Sequence, residues 1–201
     1  MILKICGITN QDDASAAIEA GANALGFNFY PRSPRSIRSE LAGEIVTAVG
    51  IRRVGVFVNE QPERVEEIAR AARLDVVQLH GDETPAEYPR SLPVWKALRV
   101  HESFDLTLYE HNPAEALLLD GPAGDLYGGA GKSFDWRMVR ESTRKIVLAG
   151  GLDASNVALA IELVHPWGVD ACSRIESARG KKDHKKMKEF LSAAMAAAVH
   201  V

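Results

Sequence analysis

The sequence predicts an α/β protein: a compact single-domain (β/α)8 TIM barrel over residues 1–201. Three observations predict it. Eight short apolar runs alternate with helical stretches from end to end, and most are continuous rather than alternating, as in parallel strands buried on both faces. No linker or composition break divides the 201 residues, a length near the lower limit for this fold. Reactive and polar side chains stand directly after the runs, the edge at which alternating strand–helix folds bind ligands. An open doubly wound sheet is the alternative. It usually needs fewer strands and gives no reason for chemistry at both the first and the last strand end.

Taken in order, the strands are expected at residues 2–6, 24–27, 53–58, 76–79, 94–98, 116–120, 146–149 and 169–171. Helices are expected between them at 12–20, 40–49, 63–72, 136–141, 154–163 and 184–198. Ser39 stands as the N-cap of the second helix, and Pro62 sits near the start of the third. A barrel this short must abbreviate something. The fifth crossover, residues 100–115, has weak helical periodicity and holds His101, Asn112 and Pro113, so a loop or short helix is expected there. The run Ala194-Met195-Ala196-Ala197-Ala198 is strongly helix-forming and is expected to pack back on the barrel wall.

Composition narrows the function. The chain is 46% apolar and 25% charged, with a formal net charge of -3 and both signs interspersed, which gives no support for a nucleic-acid partner. The basic run Lys181-Lys182-Asp183-His184-Lys185-Lys186 is read as a solvated face near the start of the last helix. Cys6 and Cys172 provide neither a disulfide framework nor, with the histidines available, a four-ligand zinc site. No charged leader precedes a long apolar stretch, and no apolar run approaches the ~20 residues of a membrane span. A reduced, cytoplasmic protein with no membrane partner is expected.

The strand ends carry the chemistry. They read Cys6-Gly7-Ile8-Thr9, then a loop from Asn28 to Ile37 with two prolines and two arginines, then Phe57-Val58-Asn59, Gln78-Leu79-His80-Gly81 and Leu119-Asp120-Gly121. The last two are Ala149-Gly150-Gly151-Leu152 and Asp170-Ala171-Cys172-Ser173-Arg174. In a closed barrel, thiol, carboxylate, imidazole and guanidinium converge on one mouth. Taken alone, Cys6 is better read as a small residue filling a strand end, and it is the chemistry at the other strand ends that shifts the reading. Gly150-Gly151 before a helix is either a tight turn or an anion pocket, in which glycine N–H groups and a helix N-terminus hold phosphate. Gly128-Gly129-Ala130-Gly131-Lys132-Ser133 looks like part of a nucleotide loop. The required glycine five positions before Gly131 is Leu126, so that reading is rejected. Residues 121–134 are instead expected to form a mobile active-site loop.

Together these motifs resemble the phosphoribosylanthranilate isomerase family. The resemblance rests on Lys-Ile-Cys-Gly-Ile-Thr at 4–9, Gly-Phe-Asn-Phe-Tyr-Pro-Arg-Ser-Pro-Arg-Ser-Ile at 26–37 and Val-Gly-Val-Phe-Val-Asn at 54–59. It continues through Gln-Leu-His-Gly-Asp-Glu at 78–83, Leu-Leu-Asp at 118–120, Gly-Gly-Ala-Gly-Lys-Ser-Phe-Asp-Trp at 128–136 and Leu-Ala-Gly-Gly-Leu at 148–152. It ends with Asn156-Val157 and residues 180–183, so it spans the chain in order. It implies a barrel enzyme of tryptophan biosynthesis without cofactor or metal. Such an enzyme converts a small phosphosugar, N-(5-phosphoribosyl)anthranilate, to 1-(2-carboxyphenylamino)-1-deoxyribulose 5-phosphate by an Amadori rearrangement. The resemblance assigns the general base to Cys6, the general acid to Asp120 and the clamp on the anthranilate carboxylate to Arg35. The two catalytic groups need opposite tuning: a carboxyl raised by desolvation and a thiol lowered by nearby cations. Lys4 shares the strand face of Cys6 and is placed deeper in the barrel. His80 donates to substrate or orients its loop, Arg32 is a solvated loop arginine, and Asp135 caps the helix that follows.

Two other readings stand beside this one. A different phosphosugar barrel would want metal ligands at strand ends, where His80 alone is a poor set. Alternatively it would want a catalytic lysine and glutamate inside the barrel, where Lys4 and Lys96 are the lysines and no glutamate matches. The second alternative is a barrel serving as a non-catalytic binding module. Oligomeric state is left open between monomer and homodimer. The chain departs from the resemblance at its last strand end, where Asp-Val-Ser-Ser-Gly-Val-Glu is usual. Here Cys172 replaces a serine and Arg174 a glycine. Arg174 is expected to turn into the mouth and bind phosphate by charge. Otherwise it points outward to an acid such as Glu176, leaving the N–H groups of Gly150, Gly151 and Ser173 to hold the anion. Cys172 is expected to be reduced and non-catalytic, and near Cys6 because the first and last strands of a closed barrel are neighbours.

Overall fold

The computed structural model describes residues 1–121, 133–139 and 142–199. Eight parallel strands close on themselves: β1 (Ile2–Cys6), β2 (Ala24–Asn28), β3 (Arg52–Phe57), β4 (Val76–Leu79), β5 (Val94–Arg99), β6 (Ala116–Asp120), β7 (Ile146–Leu148) and β8 (Gly168–Ala171). β1 closes the barrel by pairing with β8, Lys4 opposite Asp170 and Ile5 opposite Ala171. Strand ends lie within one residue of the expected positions, because continuous β-branched and leucine runs have few other ways to bury both faces.

Alternation along each strand separates two cores. Ala24, Val54, Val76, Trp95, Ala97, Ala116, Leu118 and Val147 fill the barrel interior. The residues between them, such as Leu25, Val77, Leu117 and Leu119, face the helical layer. Trp95 is fully buried and meets Trp167 edge-on, with ring centroids 5.5 Å apart, at the N-terminal end of the barrel. Apolar packing thus fills the lower barrel, and the inward polar positions Lys4, Cys6, Gln78, Asp120 and Asp170 stand above it.

The outer layer holds α1 (Gln11–Glu19), α2 (Ser39–Glu44), α3 (Pro62–Ala71), α4 (Val157–Val164) and α5 (His184–Ala198). Asn10 caps α1 through Asp13 N–H at 2.8 Å, and Pro62 opens α3. α2 differs from expectation at both ends. Ser39 is its first helical residue, Arg38 is a cap with no side-chain bond, and the helix stops at Glu44. The Arg53 guanidinium, buried beneath it, takes the carbonyls of Ala42 and Ile45 and ends the ladder there. The fifth crossover is abbreviated as expected to the 3-10 turn Leu106–Tyr109. The fourth is shorter still, Pro85–Glu87, and the described residues before β7 hold the turn Trp136–Val139. Asp135 accepts from Arg137 N–H at the start of that turn. α5 buries Met187, Phe190, Leu191, Ala194 and Ala197 against the barrel.

A small hairpin, β9 (Glu176–Ala178) with β10 (Lys181–Lys182), was not anticipated. It overturns the solvated reading of the basic run at Lys182, whose side chain is fully buried against Glu176. Residues 122–132 of the expected mobile loop, and with them all of the rejected nucleotide-loop motif but Ser133, lie outside the described residues. Among the described residues, no helix is long and apolar enough to cross a membrane.

Candidate active site

The C-terminal ends of the strands enclose a cavity of about 290 Å³. Cys6, Asp120, Arg35, His80, Gly150, Gly151, Ser173 and Arg174 all line it. Eight residues scattered over 169 positions of sequence therefore meet because parallel strands deliver all their C-terminal ends to one rim.

At the seam between β1 and β8, Lys4 Nζ donates to Asp170 Oδ2 at 2.8 Å with the lysine side chain fully buried. Burial works against the ammonium, but the Asp170 carboxylate and the Cys6 sulfur outweigh it and hold Lys4 above its ordinary pKa. Burial pushes Asp170 up to about 7 against the pull of Lys4, helped by the neighbouring Cys6 and Asp120 charges. Lys4 thus stays cationic, and it is Asp170 that takes up a proton as pH falls through about 7. Two residues further along β1, Cys6 shares this inward column. Its thiol is held well below the ordinary range: the Cys172 thiol donates to it, and Lys4 and Lys182 outweigh the cost of burial. Cys172 is pushed up correspondingly by that same bond and by burial. The structure thus supplies the cationic tuning the sequence called for and adds a second sulfur as donor.

Asp120 ends β6 and is buried. Across the cavity, the Gln78 amide donates to His80 Nδ1 at 3.1 Å, which leaves the ring proton on Nε2. That Nε2 stands 3.3 Å from Asp120 Oδ2 without the alignment of a hydrogen bond. His80 therefore faces the carboxylate as well as the cavity. Gly150, at φ +79, packs so closely that a Cβ would stand 2.3 Å from Gly121 N and 2.7 Å from Asp120 Oδ1. Glycine there sets the position of the acidic strand end as well as opening the turn.

Arg35 gives Nε and Nη2 to the two carboxylate oxygens of Glu176, at 2.7 and 2.8 Å. Lys182 Nζ reaches the same carboxylate at 3.0 Å. This buried triad fixes the guanidinium and leaves Nη1 on its other edge for a ligand. Arg174 lines the rim and donates from Nη1 to Asp153 Oδ2 at 2.8 Å. Its acidic partner is thus Asp153 rather than the anticipated Glu176, which the Arg35 and Lys182 cations already occupy. Arg32 is exposed as expected, at the edge of the cavity.

Sequence reasoning placed Gln78 and Asp170 at strand ends without giving them a role, named Glu176 only as a partner for Arg174, and missed Lys182. Gln78 and Asp170 occupy the inward phase of their strands, a signal that was available. Glu176 and Lys182 meet only through the unanticipated hairpin. It also overlooked Glu83, which is buried and pairs with Lys96 at 2.7 Å. Lys96 alternates outward from Trp95 and Ala97, so the pair braces the loop after β4 and takes no place in the cavity. Among the described residues, four buried side-chain polar atoms have no partner. Three of them, Gln78 Oε1, His80 Nε2 and Asp170 Oδ1, belong to residues lining this one cavity. Buried polar atoms cost roughly 1–3 kcal/mol each when left unpaired, so their clustering marks a site shaped for a polar ligand.

Comparison with known proteins gives a consistent result. The model of the family described as N-(5'phosphoribosyl)anthranilate (PRA) isomerase matches residues 3–193. The N-(5'-phosphoribosyl)anthranilate isomerase of Solibacter usitatus is 67% identical over 98% of both chains. That of Trichlorobacter lovleyi is 49% identical over 94% of this chain and 95% of its own. Among solved structures, the phosphoribosyl anthranilate isomerase of Thermotoga maritima superposes with a TM-score of 0.88 at 40% identity, covering 98% of this chain and 100% of that one. With the motifs, the closed barrel and the polar mouth agreeing over the length of the match, the chain belongs to the N-(5'-phosphoribosyl)anthranilate isomerase family.

Proposed function

We propose that this barrel isomerises N-(5-phosphoribosyl)anthranilate to 1-(2-carboxyphenylamino)-1-deoxyribulose 5-phosphate, with Cys6 as general base and Asp120 as general acid. The observation that carries the assignment is the cavity itself. A cysteine surrounded by two buried ammonium groups and a buried carboxyl line one polar mouth that also holds the unpartnered atoms of Gln78, His80 and Asp170. Asp120 gives its proton to the ring oxygen as the sugar opens, and the anilino nitrogen takes up the positive charge as a Schiff base. The Cys6 thiolate then removes the proton from the 2′ carbon, and the enolamine collapses to the ketone. Lys4 stabilises the thiolate before the proton arrives.

Arg35, held rigid by Glu176, offers its remaining edge to the anthranilate carboxylate. The N–H groups of Gly150, Gly151 and Ser173 receive the phosphate, and Arg174, steadied by Asp153, adds charge at the rim. His80 donates from Nε2 to the substrate or to Asp120. One solved relative was crystallised with reduced 1-(o-carboxyphenylamino)-1-deoxyribulose 5-phosphate, a ligand with the aromatic carboxylate and the phosphate that these two ends of the cavity suit. One domain over residues 1–201 carries the reaction without metal or cofactor. It works as a monomer or a homodimer, because a single chain supplies the lining described; a Thermotoga maritima relative is dimeric. The two free cysteines suit a cytoplasmic setting, where thiols are kept reduced.

The test is the fluorescence of the anthranilate-linked substrate. Purified protein is expected to quench it at catalytic concentration with no added metal or nucleotide. Stable fluorescence would overturn the proposal, and a requirement for added metal would point back to another phosphosugar barrel.

A further inference from the structure

Cys172 has no task in the isomerisation beyond a hydrogen bond, and it is a sulfur where the family resemblance expects serine. Its position is set by the seam that closes the barrel. Ile5 stands opposite Ala171 in the β1–β8 ladder, so the next residue on each side is Cys6 and Cys172. Adjacent strands run about 4.8 Å apart, inside the roughly 4.4–6.8 Å range over which two Cα atoms accept a disulfide. The Lys4–Asp170 pair, two residues lower in the same ladder, shows which way this column points: into the barrel. Each thiol shifts the other, Cys6 down and Cys172 up, and both residues line the cavity mouth, where a small solute reaches them. Lys182 Nζ stands 3.8 Å from Cys172 Sγ, a cation beside the second sulfur.

We propose that Cys6 and Cys172 form a site of reversible oxidation by hydrogen peroxide or a related two-electron oxidant, closing to a disulfide that removes the base from the active site. The Cys6 thiolate attacks one peroxide oxygen. The O–O bond breaks, Cys6 becomes a sulfenic acid, and the second oxygen leaves as hydroxide and is protonated to water. The Cys172 sulfur, losing its proton, then attacks the sulfenic sulfur. The S–S bond forms, the S–O bond breaks, and a second water leaves. Two thiols have lost two electrons and two protons, and one peroxide has become two waters. A dithiol reverses the change by exchange. The effect on activity rests on the reading of Cys6 as the base; the bond itself does not.

The experiment treats the purified whole protein with one equivalent of hydrogen peroxide and follows intact mass, free thiols and turnover together. The expected result is a loss of about 2 Da and of both titratable thiols. Turnover should fall by roughly the 10²–10⁴-fold that loss of a positioned base costs, and dithiothreitol should restore it. Cys172→Ser, compared with its own reduced state, should gain oxygen mass on Cys6 instead and recover poorly after prolonged exposure, because no second thiol intercepts the sulfenic acid. An unchanged mass with both thiols still titratable would overturn the proposal and leave the base assignment standing. Recovery of Cys172→Ser as complete as that of the parent would also overturn it. A disulfide formed with turnover intact would confirm the bond and sink Cys6 as the base.

Discussion

At the scale of single residues, the proposed roles divide the site between proton-transfer groups and the groups that hold them. On the proposed assignment, Cys6→Ala and Asp120→Asn are each expected to lower kcat by roughly 10²–10⁴-fold with little change in KM, because each would remove a proton-transfer group while the binding contacts remain. Either variant turning over at near the parent rate would show that its role lies elsewhere. Arg174 predicts a different signature. It stands at the rim with Asp153, so Arg174→Gly should bind substrate and inorganic phosphate several-fold more weakly, with kcat retained. Its affinity should also depend less on salt, since one screened charge is gone. Phosphate inhibition identical to the parent would leave Arg174 as a rim residue with no ligand contact. The family resemblance singled out Cys6, Asp120 and Arg35; residue identity alone would have left Cys6 a small residue filling a strand end. The Glu176 clamp on Arg35 was not legible, since nothing local says which acid a loop arginine meets.

At the scale of elements, one buried arginine decides where two helices stop. Arg53 faces outward from β3, stacks at 4.8 Å over the Phe27 ring, and donates to the carbonyls at the ends of α2 and α3: Ala42, Ile45 and Ala72. Helices leave their last carbonyls without partners, and here a side chain from the sheet satisfies them. Arg53→Met keeps much of the volume, orphans the Ile45 and Ala72 carbonyls and strips the Ala42 carbonyl of its second donor. It should destabilise the protein by about 3 kcal/mol, read as a lower denaturant midpoint. A loss below ~0.5 kcal/mol would mean water replaces the guanidinium. This is also why α2 ran five residues short of its apparent pattern, for no helical periodicity registers a capping group on a neighbouring strand. Asp13 ties α1 to the start of α5, accepting from Lys182 N–H at 3.0 Å and meeting His184 Nε2 at 2.8 Å. Burial pushes its carboxyl up, but the Lys182, His184 and Asn10 bonds win and hold it below its ordinary 3.8. A lowered folded pKa contributes stability that is present above the unfolded value and lost as pH falls through the folded one. Asp13→Asn should therefore be less stable than the parent at pH 6, with the gap closing as pH drops below about 4. A gap independent of pH would show that the charge on Asp13 contributes nothing.

At the scale of the whole molecule, the closure of the barrel and the tuning of the site are one structure. The Lys4–Asp170 ion pair spans the β1–β8 seam with both side chains almost wholly withdrawn from water. Such a pair adds little net stability against an apolar replacement, but breaking it strands a buried charge. Lys4→Met is expected to cost about 3–5 kcal/mol in urea unfolding, whereas Lys4→Met combined with Asp170→Leu should recover most of that loss. Two single variants whose losses simply add in the double would show that the groups do not interact across the seam. Both variants should also slow the isomerisation, since Lys4 stabilises the Cys6 thiolate.

The order of strands, their bounds to within a residue, the closure of the sheet and the strand ends that meet at its mouth were all readable from the chain. The physical reason is that doubly buried parallel strands demand continuous apolar runs, and that a closed parallel sheet sends every C-terminal end to the same rim. The tertiary structure alone decided which charges meet there: Arg35 with Glu176, Arg174 with Asp153, and Lys4 with Asp170. Those partners lie 21 to 166 residues apart, and burial, hairpin placement and strand register choose among many charges of equal attraction. Local sequence carries no record of that choice, because Coulomb attraction names a sign and a distance but no address.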